Sequence, residues 1–171
     1  MADGQVRELS RADFEDLYNR LGGQLHAYLR RQVGDPDTAS DLLQDVFVRL
    51  LRSPVQARSG REIKGYLYRT AASVIADHFR REGRAKRWSV LTGRPKTART
   101  APATGVERVF RELPLRDRTL LWLAYVEEMT HEEIAEVIGV KRASVKVLLS
   151  RARGRLSAKL KEHCLGLEAI E

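Results

Sequence analysis

Side chains that can bind a polyanion are concentrated between Lys141 and Arg155. This stretch holds six basic residues, and no acidic residue occurs from Val137 to Lys161. Lysine and arginine bind phosphate, arginine also bonds guanine edges in pairs, and serine can do either. The polar residues of the stretch are Lys141, Arg142, Ser144, Lys146, Ser150, Arg151, Arg153 and Arg155. Their chemistry predicts contact with nucleic acid.

Two short helices must position these side chains. Thr130 and Glu133 form a capping-box pattern that starts the first helix, and Gly139 supplies the left-handed residue that ends it. The second helix has one apolar face, formed by Val145, Leu149, Ala152 and Leu156. A short helix, a glycine turn and a basic second helix are typical of a DNA-reading helix-turn-helix. A helical hairpin with a solvated basic face is the alternative.

Composition limits the possible classes of protein. The 171 residues carry a formal charge of +8, which favours a nucleic acid or an acidic membrane surface as partner. The single cysteine excludes an intramolecular disulfide and suits a reducing compartment. The N-terminus lacks the apolar segment of a signal peptide, and no run approaches the ~20 apolar residues that span a bilayer. We therefore expect a cytoplasmic protein.

The first half of the chain predicts three helices. Ser10 with Asp13 favours a start for a helix over about 13–32, and Asp35-Pro36 favours the start of the next. The second helix is expected to bury Leu42, Leu43, Val46, Phe47, Leu50 and Leu51 and to expose Asp41, Gln44, Asp45, Val48 and Arg49. Two carboxylates four residues apart repel mildly, which slightly favours a docking surface over a solvated face.

The third predicted helix, over 63–82, places aromatic and basic residues outside its core stripe. These are Tyr66, Tyr68, Arg69, Ser73, Arg80 and Arg81. Aromatic rings among cations suit stacking on unpaired bases, although tyrosines at the edge of a small core would give the same pattern. His78 is interpreted as a core-edge residue, because no second ligand lies at metal spacing.

A basic linker is predicted between two domains. Residues 84–104 contain six basic and no acidic residues, and lack a periodic apolar stripe. We expect domains at 10–83 and 105–163. In the second, Val106, Val109, Phe110 and Leu113 predict a short helix, and the apolar segment 118–126 predicts the helix on which the helix-turn-helix packs.

Motifs of catalysis are missing from the sequence. Its four histidines are scattered, the HEEIA segment lacks the second histidine of HExxH, and there is no glycine-rich phosphate loop. We expect a binding protein with no catalytic residue, no cofactor and no metal site.

Three segments in order resemble the bacterial extracytoplasmic-function sigma factors, the two-domain promoter-recognition subunits of RNA polymerase in the sigma-70 family. Segment 41–50, DLLQDVFVRL, is similar to the family's polymerase-docking helix, and 65–81, GYLYRTAASVIADHFRR, to its promoter-melting helix. Segment 112–156 resembles its second domain. The resemblance covers residues 14–160 and implies an all-α fold of two small helical domains, sigma-2-like and sigma-4-like.

The resemblance also implies roles for individual residues. Core RNA polymerase would bind Asp41, Gln44, Asp45 and Arg49. Melted minus-ten DNA would bind Tyr66, Arg69, Ser73, Arg80 and Arg81, and the third helix together with the predicted loop 52–62 would hold a flipped-out base. Minus-thirty-five DNA would bind Lys141, Arg142, Ser144, Lys146, Ser150 and Arg151. The linker would thread through the polymerase, and an anti-sigma factor is a further possible partner.

The sequence departs from the family pattern at three positions. Ser73 stands where asparagine is frequent, Lys141 where serine or threonine caps the recognition helix, and Leu148 where a basic residue is common. The first departure puts the preferred minus-ten base in question, and the third removes one expected backbone contact. A stand-alone helix-turn-helix regulator is the alternative function; it would need neither the Asp41–Asp45 face nor a melting helix. The segment QDVFVRLL hints weakly at the iron-uptake branch.

Overall fold

The computed structural model describes residues 10–52, 60–92 and 105–168, with side chains for 10–52, 60–84 and 105–163. All regular structure in these ranges is helical, so the predicted all-α class is confirmed. Three helices form one compact unit and four form a second. None of the helices in the described ranges combines the length and apolarity needed to cross a bilayer.

The first unit consists of α1 (Arg11–Val33), α2 (Pro36–Arg52) and α3 (Gly60–Thr92), each packed on the other two. The predicted N-terminal ends of α1 and α2 are confirmed by the geometry of their caps. The Ser10 hydroxyl accepts a hydrogen bond from the Asp13 N–H, and the Asp35 carboxylate accepts one from the Thr38 N–H at 2.8 Å. Gly34 ends α1 with φ 80°, a left-handed conformation that glycine adopts without strain.

The core of the first unit differs from the predicted one at two residues. Tyr68, predicted outside, is 1% exposed and stacks edge-on against Tyr28 with ring centroids 5.4 Å apart. Leu51, predicted inside, is 56% exposed, because it lies in the last turn of α2, beyond the final buried residue Leu50. The other apolar residues predicted for α2 are buried.

Helix α3 is longer at both ends than predicted. Residues 60–62, assigned to a loop, form its first turn, and residues 84–92, assigned to the linker, continue it to Thr92. The linker prediction is therefore wrong for 84–92. Gly83 does not end α3, because an isolated glycine costs a helix only about 1 kcal/mol and the residues up to the next glycine tolerate helix. The predicted linker residues 93–104 and loop residues 53–59 lie outside the described ranges.

The second unit consists of α4 (Gly105–Glu112), α5 (Leu115–Tyr125), α6 (His131–Ile138) and α7 (Arg142–Glu168). The predicted capping box is present at α6: the Thr130 hydroxyl accepts from the Glu133 N–H, and the Glu133 carboxylate accepts from the Thr130 N–H at 2.7 Å. Gly139 ends α6 with φ 70°. The turn before α7 therefore has the geometry that the sequence indicated.

Helix α7 contacts all three other helices of its unit. It buries Val145, Leu149 and Ala152 and partly buries Leu156, which confirms the predicted apolar face. From α5 the unit buries Leu120, Leu121 and Leu123. Val106 was expected in the apolar stripe of α4 but is exposed, since it lies in the first turn of the helix and Val109 supplies the contact.

A half-buried ion pair joins the start of α5 to the middle of α7. The Arg155 guanidinium donates to the Asp117 carboxylate at 2.6 Å, and the Asp117 side chain is only 6% exposed while that of Arg155 is 54% exposed. A carboxylate taken out of water is costly unless it is bonded. Arg155 therefore has a structural role in the second unit.

We expect Arg155→Ala to destabilise the second unit by about 1–2 kcal/mol, because the buried carboxylate loses a charged donor while solvent screens part of the effect. The measurement is chemical denaturation of the full-length protein followed by helical circular dichroism. The control is Arg151→Ala, which removes the same charge from an exposed position on the same helix. Equal losses in the two variants would show that Asp117 does not depend on this partner.

Candidate nucleic-acid interface

The outer surface of α7 presents the residues assigned to DNA from the sequence. Lys141 immediately precedes the helix, and all six assigned side chains, Lys141, Arg142, Ser144, Lys146, Ser150 and Arg151, are exposed. The buried stripe through Val145 and Leu149 fixes the opposite side of the helix against the unit. Within the described ranges, no ion pair holds any of the four basic side chains of this set. They are available to an external polyanion.

The start of α7 has no side-chain cap. The Lys141 carbonyl accepts the first bond from the Ser144 N–H at 2.9 Å, but an ammonium group cannot accept a bond from the first turn. The N–H groups of Arg142 and Ala143, which precede the bonded Ser144, remain available, and the positive end of the helix dipole lies beside a lysine. This combination suits a phosphate group.

Two further basic residues of α7 bond within their own unit. Arg153 donates to the Tyr125 hydroxyl at 3.2 Å, and Arg155 pairs with Asp117. The sequence placed both among the polar faces of the helix, without distinguishing them from the six assigned residues. Because their partners lie far along the chain, periodicity alone could not make that distinction.

A second surface lies along α3. Tyr66, Arg69, Ser73 and Arg80 follow one another at three-, four- and seven-residue intervals, which places them on one side of the helix. Tyr66 is partly buried, while the other three residues and Arg81 are exposed. The structure therefore brings the proposed minus-ten residues together as a strip.

An acidic residue that the sequence reasoning missed lies within this strip. The Asp77 carboxylate bonds Arg80 on the same helix and Arg49 of α2, the latter at 3.2 Å. The Arg80 and Arg49 guanidinium groups hold the pKa of Asp77 below its ordinary value of 3.8. The three-residue spacing of Asp77 and Arg80 could have indicated their pair, but the contact with Arg49 depends on helix packing. Arg49, assigned to polymerase docking, is thus tied to the α3 strip.

The third surface is the outward side of α2. Asp41, Gln44 and Asp45 are exposed there, together with Val48. Asp41 and Asp45 lie one turn apart, so two carboxylates are adjacent on a surface that also exposes an apolar side chain. A surface of this kind suits a basic protein partner with an apolar contact at its centre.

Comparison with known proteins identifies the chain. Residues 17–85 match the family described as Sigma-70 region 2, and residues 105–156 match Sigma-70, region 4. The sequence is 29% identical over 154 residues to the RNA polymerase sigma factor YlaC of Bacillus subtilis, covering 84% of this chain and 89% of that protein. The chain belongs to the extracytoplasmic-function sigma factors of the sigma-70 family.

Other relatives and solved structures agree with this assignment. The sigma factor is 29% identical over 163 residues to FecI of Escherichia coli, a ferric citrate uptake sigma factor, covering 89% of this chain and 88% of that protein. Its fold is similar to the sigma factor RpoE of Bartonella quintana, solved with the anti-sigma factor NepR, with a TM-score of 0.71. That likeness covers 87% of this chain and 97% of the other at 22% identity, and it shows the fold.

The sigma factor is an RNA polymerase subunit for promoter-specific transcription initiation, which binds core polymerase and recognises minus-ten and minus-thirty-five DNA. A stand-alone regulator that acts without polymerase is not favoured, because the region that matches Sigma-70 region 2 includes the α2 surface and most of α3. The three surfaces described above are the exposed parts of the sigma factor on which these contacts can be placed.

We expect Asp77→Asn to strengthen binding of the sigma factor to single-stranded DNA and to steepen its salt dependence. Release of Arg49 and Arg80 makes two guanidinium groups available to phosphates, and each new phosphate contact adds about 0.7 to the slope of log affinity against log salt. Fluorescence polarisation with a labelled oligonucleotide across a salt titration measures both quantities. Asp37→Asn, an equal charge change at an exposed site on α2, is the control; the same gain from both variants would mean that only net charge matters.

Proposed function

We propose that this sigma factor reads duplex minus-thirty-five DNA through α7, with Lys141, Arg142, Ser144, Lys146, Ser150 and Arg151 as the contacting residues. The observation that carries the proposal is that all six side chains are exposed at the start and along the first turns of α7, while Val145 and Leu149 are buried. In a helix-turn-helix this surface is the one that enters the major groove. Arg142 is placed at a base edge, and Ser144 and Lys146 are placed at phosphates.

For the minus-ten element, the α3 strip is assigned to the melted strand. Arg69, Arg80 and Arg81 would follow phosphates, and Tyr66 would stack on an unpaired base beside Ser73. Extruding a base costs a few kcal/mol, and contacts of this kind must repay that cost. Ser73 is shorter than the asparagine that is frequent there in the family, so the base preference at this position is expected to be this chain's own.

Docking on core RNA polymerase is assigned to the α2 surface, with Asp41, Gln44 and Asp45 as direct contacts. Because Arg49 is bonded to Asp77, its part in docking is to link the α2 surface to α3. The protein would work in the cytoplasm without catalysis of its own. An anti-sigma factor is a further proposed partner, supported by the fold's likeness to a sigma factor solved in such a complex.

The first experiment adds the purified sigma factor to core RNA polymerase and maps the transcription start sites that appear. Arg142→Ala and Lys146→Ala are then compared on the promoters found. Arg142→Ala is expected to weaken promoter binding by about 1–3 kcal/mol and to relax the base preference at one minus-thirty-five position. Lys146→Ala is expected to weaken all promoters alike and to lower the salt slope by about 0.9.

The two variants control for each other, since each removes one exposed cation from the same turn of α7. Binding is measured for promoter and scrambled duplexes. If both variants lose the same affinity for both duplexes, α7 contributes charge but no base readout, and the proposed role of Arg142 is wrong. If no new start sites appear with core polymerase, the whole assignment fails.

A further inference from the structure

Val147 is an exposed apolar residue near the N-terminus of α7, the sixth of its 27 residues. Its exposed fraction is 50%, although its neighbours Val145 and Leu149 are buried in the unit. Valine is a weaker helix former than alanine because its branched side chain loses rotamer freedom in a helix. Neither burial nor helix propensity therefore accounts for a valine at this position.

The position of Val147 on α7 is defined by the helical repeat. It lies one turn after Ala143 and Ser144 and one turn before Ser150 and Arg151, on the side of the helix away from Val145 and Leu149. It is therefore at the centre of the surface assigned to DNA, with polar and basic side chains on both sides. In a helix-turn-helix the N-terminal residues of the recognition helix contact the base edges, and Val147 is the sixth residue of α7.

The charges around Val147 select the partner. No acidic residue occurs from Val137 to Lys161, and Arg142, Lys146 and Arg151 are exposed within about one turn of Val147. A protein partner would have to offer an apolar contact ringed by acidic groups. Duplex DNA offers a phosphate backbone on each side of its groove, and within the major groove the 5-methyl group of thymine is the apolar feature.

We propose that Val147 contacts the 5-methyl group of a thymine in the minus-thirty-five element and thereby selects thymine at that position. The proposal rests on the proposed function of α7 as the minus-thirty-five reader. Removing one methyl group from water against the two γ-methyl groups of valine changes affinity by about three- to fivefold. Val147 would then add specificity for thymine at that position. The arginine and serine side chains of the surface cannot recognise thymine through its methyl group.

The test uses full-length sigma factor bound to core RNA polymerase and duplexes selected from a pool with a randomised minus-thirty-five element. Each thymine of the selected sequence is replaced singly by deoxyuridine, which removes only the methyl group. Replacement of thymine by deoxyuridine is expected to lower the affinity of the wild-type protein about three- to fivefold at one position. The same replacement should lower the affinity of Val147→Ala less than about 1.5-fold. Val147→Thr keeps one γ-methyl group, so its loss of affinity on deoxyuridine replacement is expected to lie between those of the wild type and Val147→Ala.

Val106→Ala is the matched control, since it makes the same change at an exposed valine on α4. It should keep the wild-type response to deoxyuridine at every position. If no deoxyuridine position depends on residue 147 while Arg142→Ala still relaxes base preference, this inference is overturned and the proposed function stands. If neither Val147→Ala nor Arg142→Ala alters base preference, the proposed function of α7 fails as well. If Val147→Ala weakens core-polymerase binding and leaves all duplexes unaffected, Val147 serves a protein contact and the inference is overturned.

Discussion

Replacing Ile134 by alanine is expected to destabilise the second unit by about 2–5 kcal/mol, the usual cost of leaving a cavity in a packed core. Ile134 lies on α6 with an exposed fraction of zero, and α6 packs on both α5 and α7. The described part of the unit has only four helices, so a loss of this size is a large part of its stability. Minus-thirty-five binding by the sigma factor should fall with it.

Hydrogen exchange of the full-length protein resolves where this loss occurs. Amides of α5, α6 and α7 should lose protection in Ile134→Ala, while those of α1, α2 and α3 should keep theirs, because each unit buries its own side chains. Glu136→Ala changes an exposed residue of the same helix and should shift stability by less than about 0.5 kcal/mol. An equal loss of protection in α1–α3 would contradict this expectation and show that the chain unfolds as one cooperative body.

The capped helix ends were the features of the fold that the sequence predicted best, whereas both ends of α3 lie beyond the predicted ones. The caps at Ser10, Asp35 and Thr130 and the left-handed residue Gly139 were all predicted, because each depends on bonds between residues at most four positions apart. The buried stripe of α7 was predicted for a similar reason, since a 3.6-residue repeat is visible in one segment. Local chemistry alone determines these features.

Two of the following three errors depend on contacts between distant segments, and the third on a local signal that was too weak to end a helix. Tyr68 was placed outside because its own helix does not reveal the ring of Tyr28 that receives it. The continuation of α3 past Gly83 was missed because an isolated glycine weakens a helix without ending it. The bond between Arg49 and Asp77 joins residues 28 positions apart and could not be inferred from either helix.

The candidate surfaces likewise combine features that local sequence predicts with features that depend on contacts between helices. Which residues of α2, α3 and α7 face outward follows from periodicity, and the exposed positions agree for all residues assigned to DNA and polymerase except Tyr66, which is half-buried. Periodicity does not show which exposed arginine and lysine side chains already form ion pairs within the protein. Arg80 and Arg49 bond Asp77, while Arg142 and Lys146 are held in no ion pair within the described ranges. The two surfaces proposed to bind DNA therefore differ in how much charge they can offer without first breaking an internal bond.

The double variant Asp41→Ala, Asp45→Ala is expected to weaken binding of the sigma factor to core RNA polymerase by tenfold or more. Each carboxylate lost from a charged interface typically removes about 1 kcal/mol or more of binding free energy. The fold should be unaffected, because both side chains are exposed and two like charges one turn apart repel mildly on a helix. Binding is measured as the dissociation constant of fluorescently labelled sigma factor with purified core polymerase, and denaturation reports on the fold.

The matched control is Glu132→Ala, Glu136→Ala, which removes two exposed carboxylates with the same four-residue spacing from α6. Both double variants raise the net charge by two, so a non-specific electrostatic effect would appear equally in each. We expect the α6 variant to bind core polymerase as the wild type does and the α2 variant alone to lose affinity and transcription. Unchanged core binding in the α2 variant would show that Asp41 and Asp45 form a solvated face, and the docking surface would then have to lie on another part of the first unit.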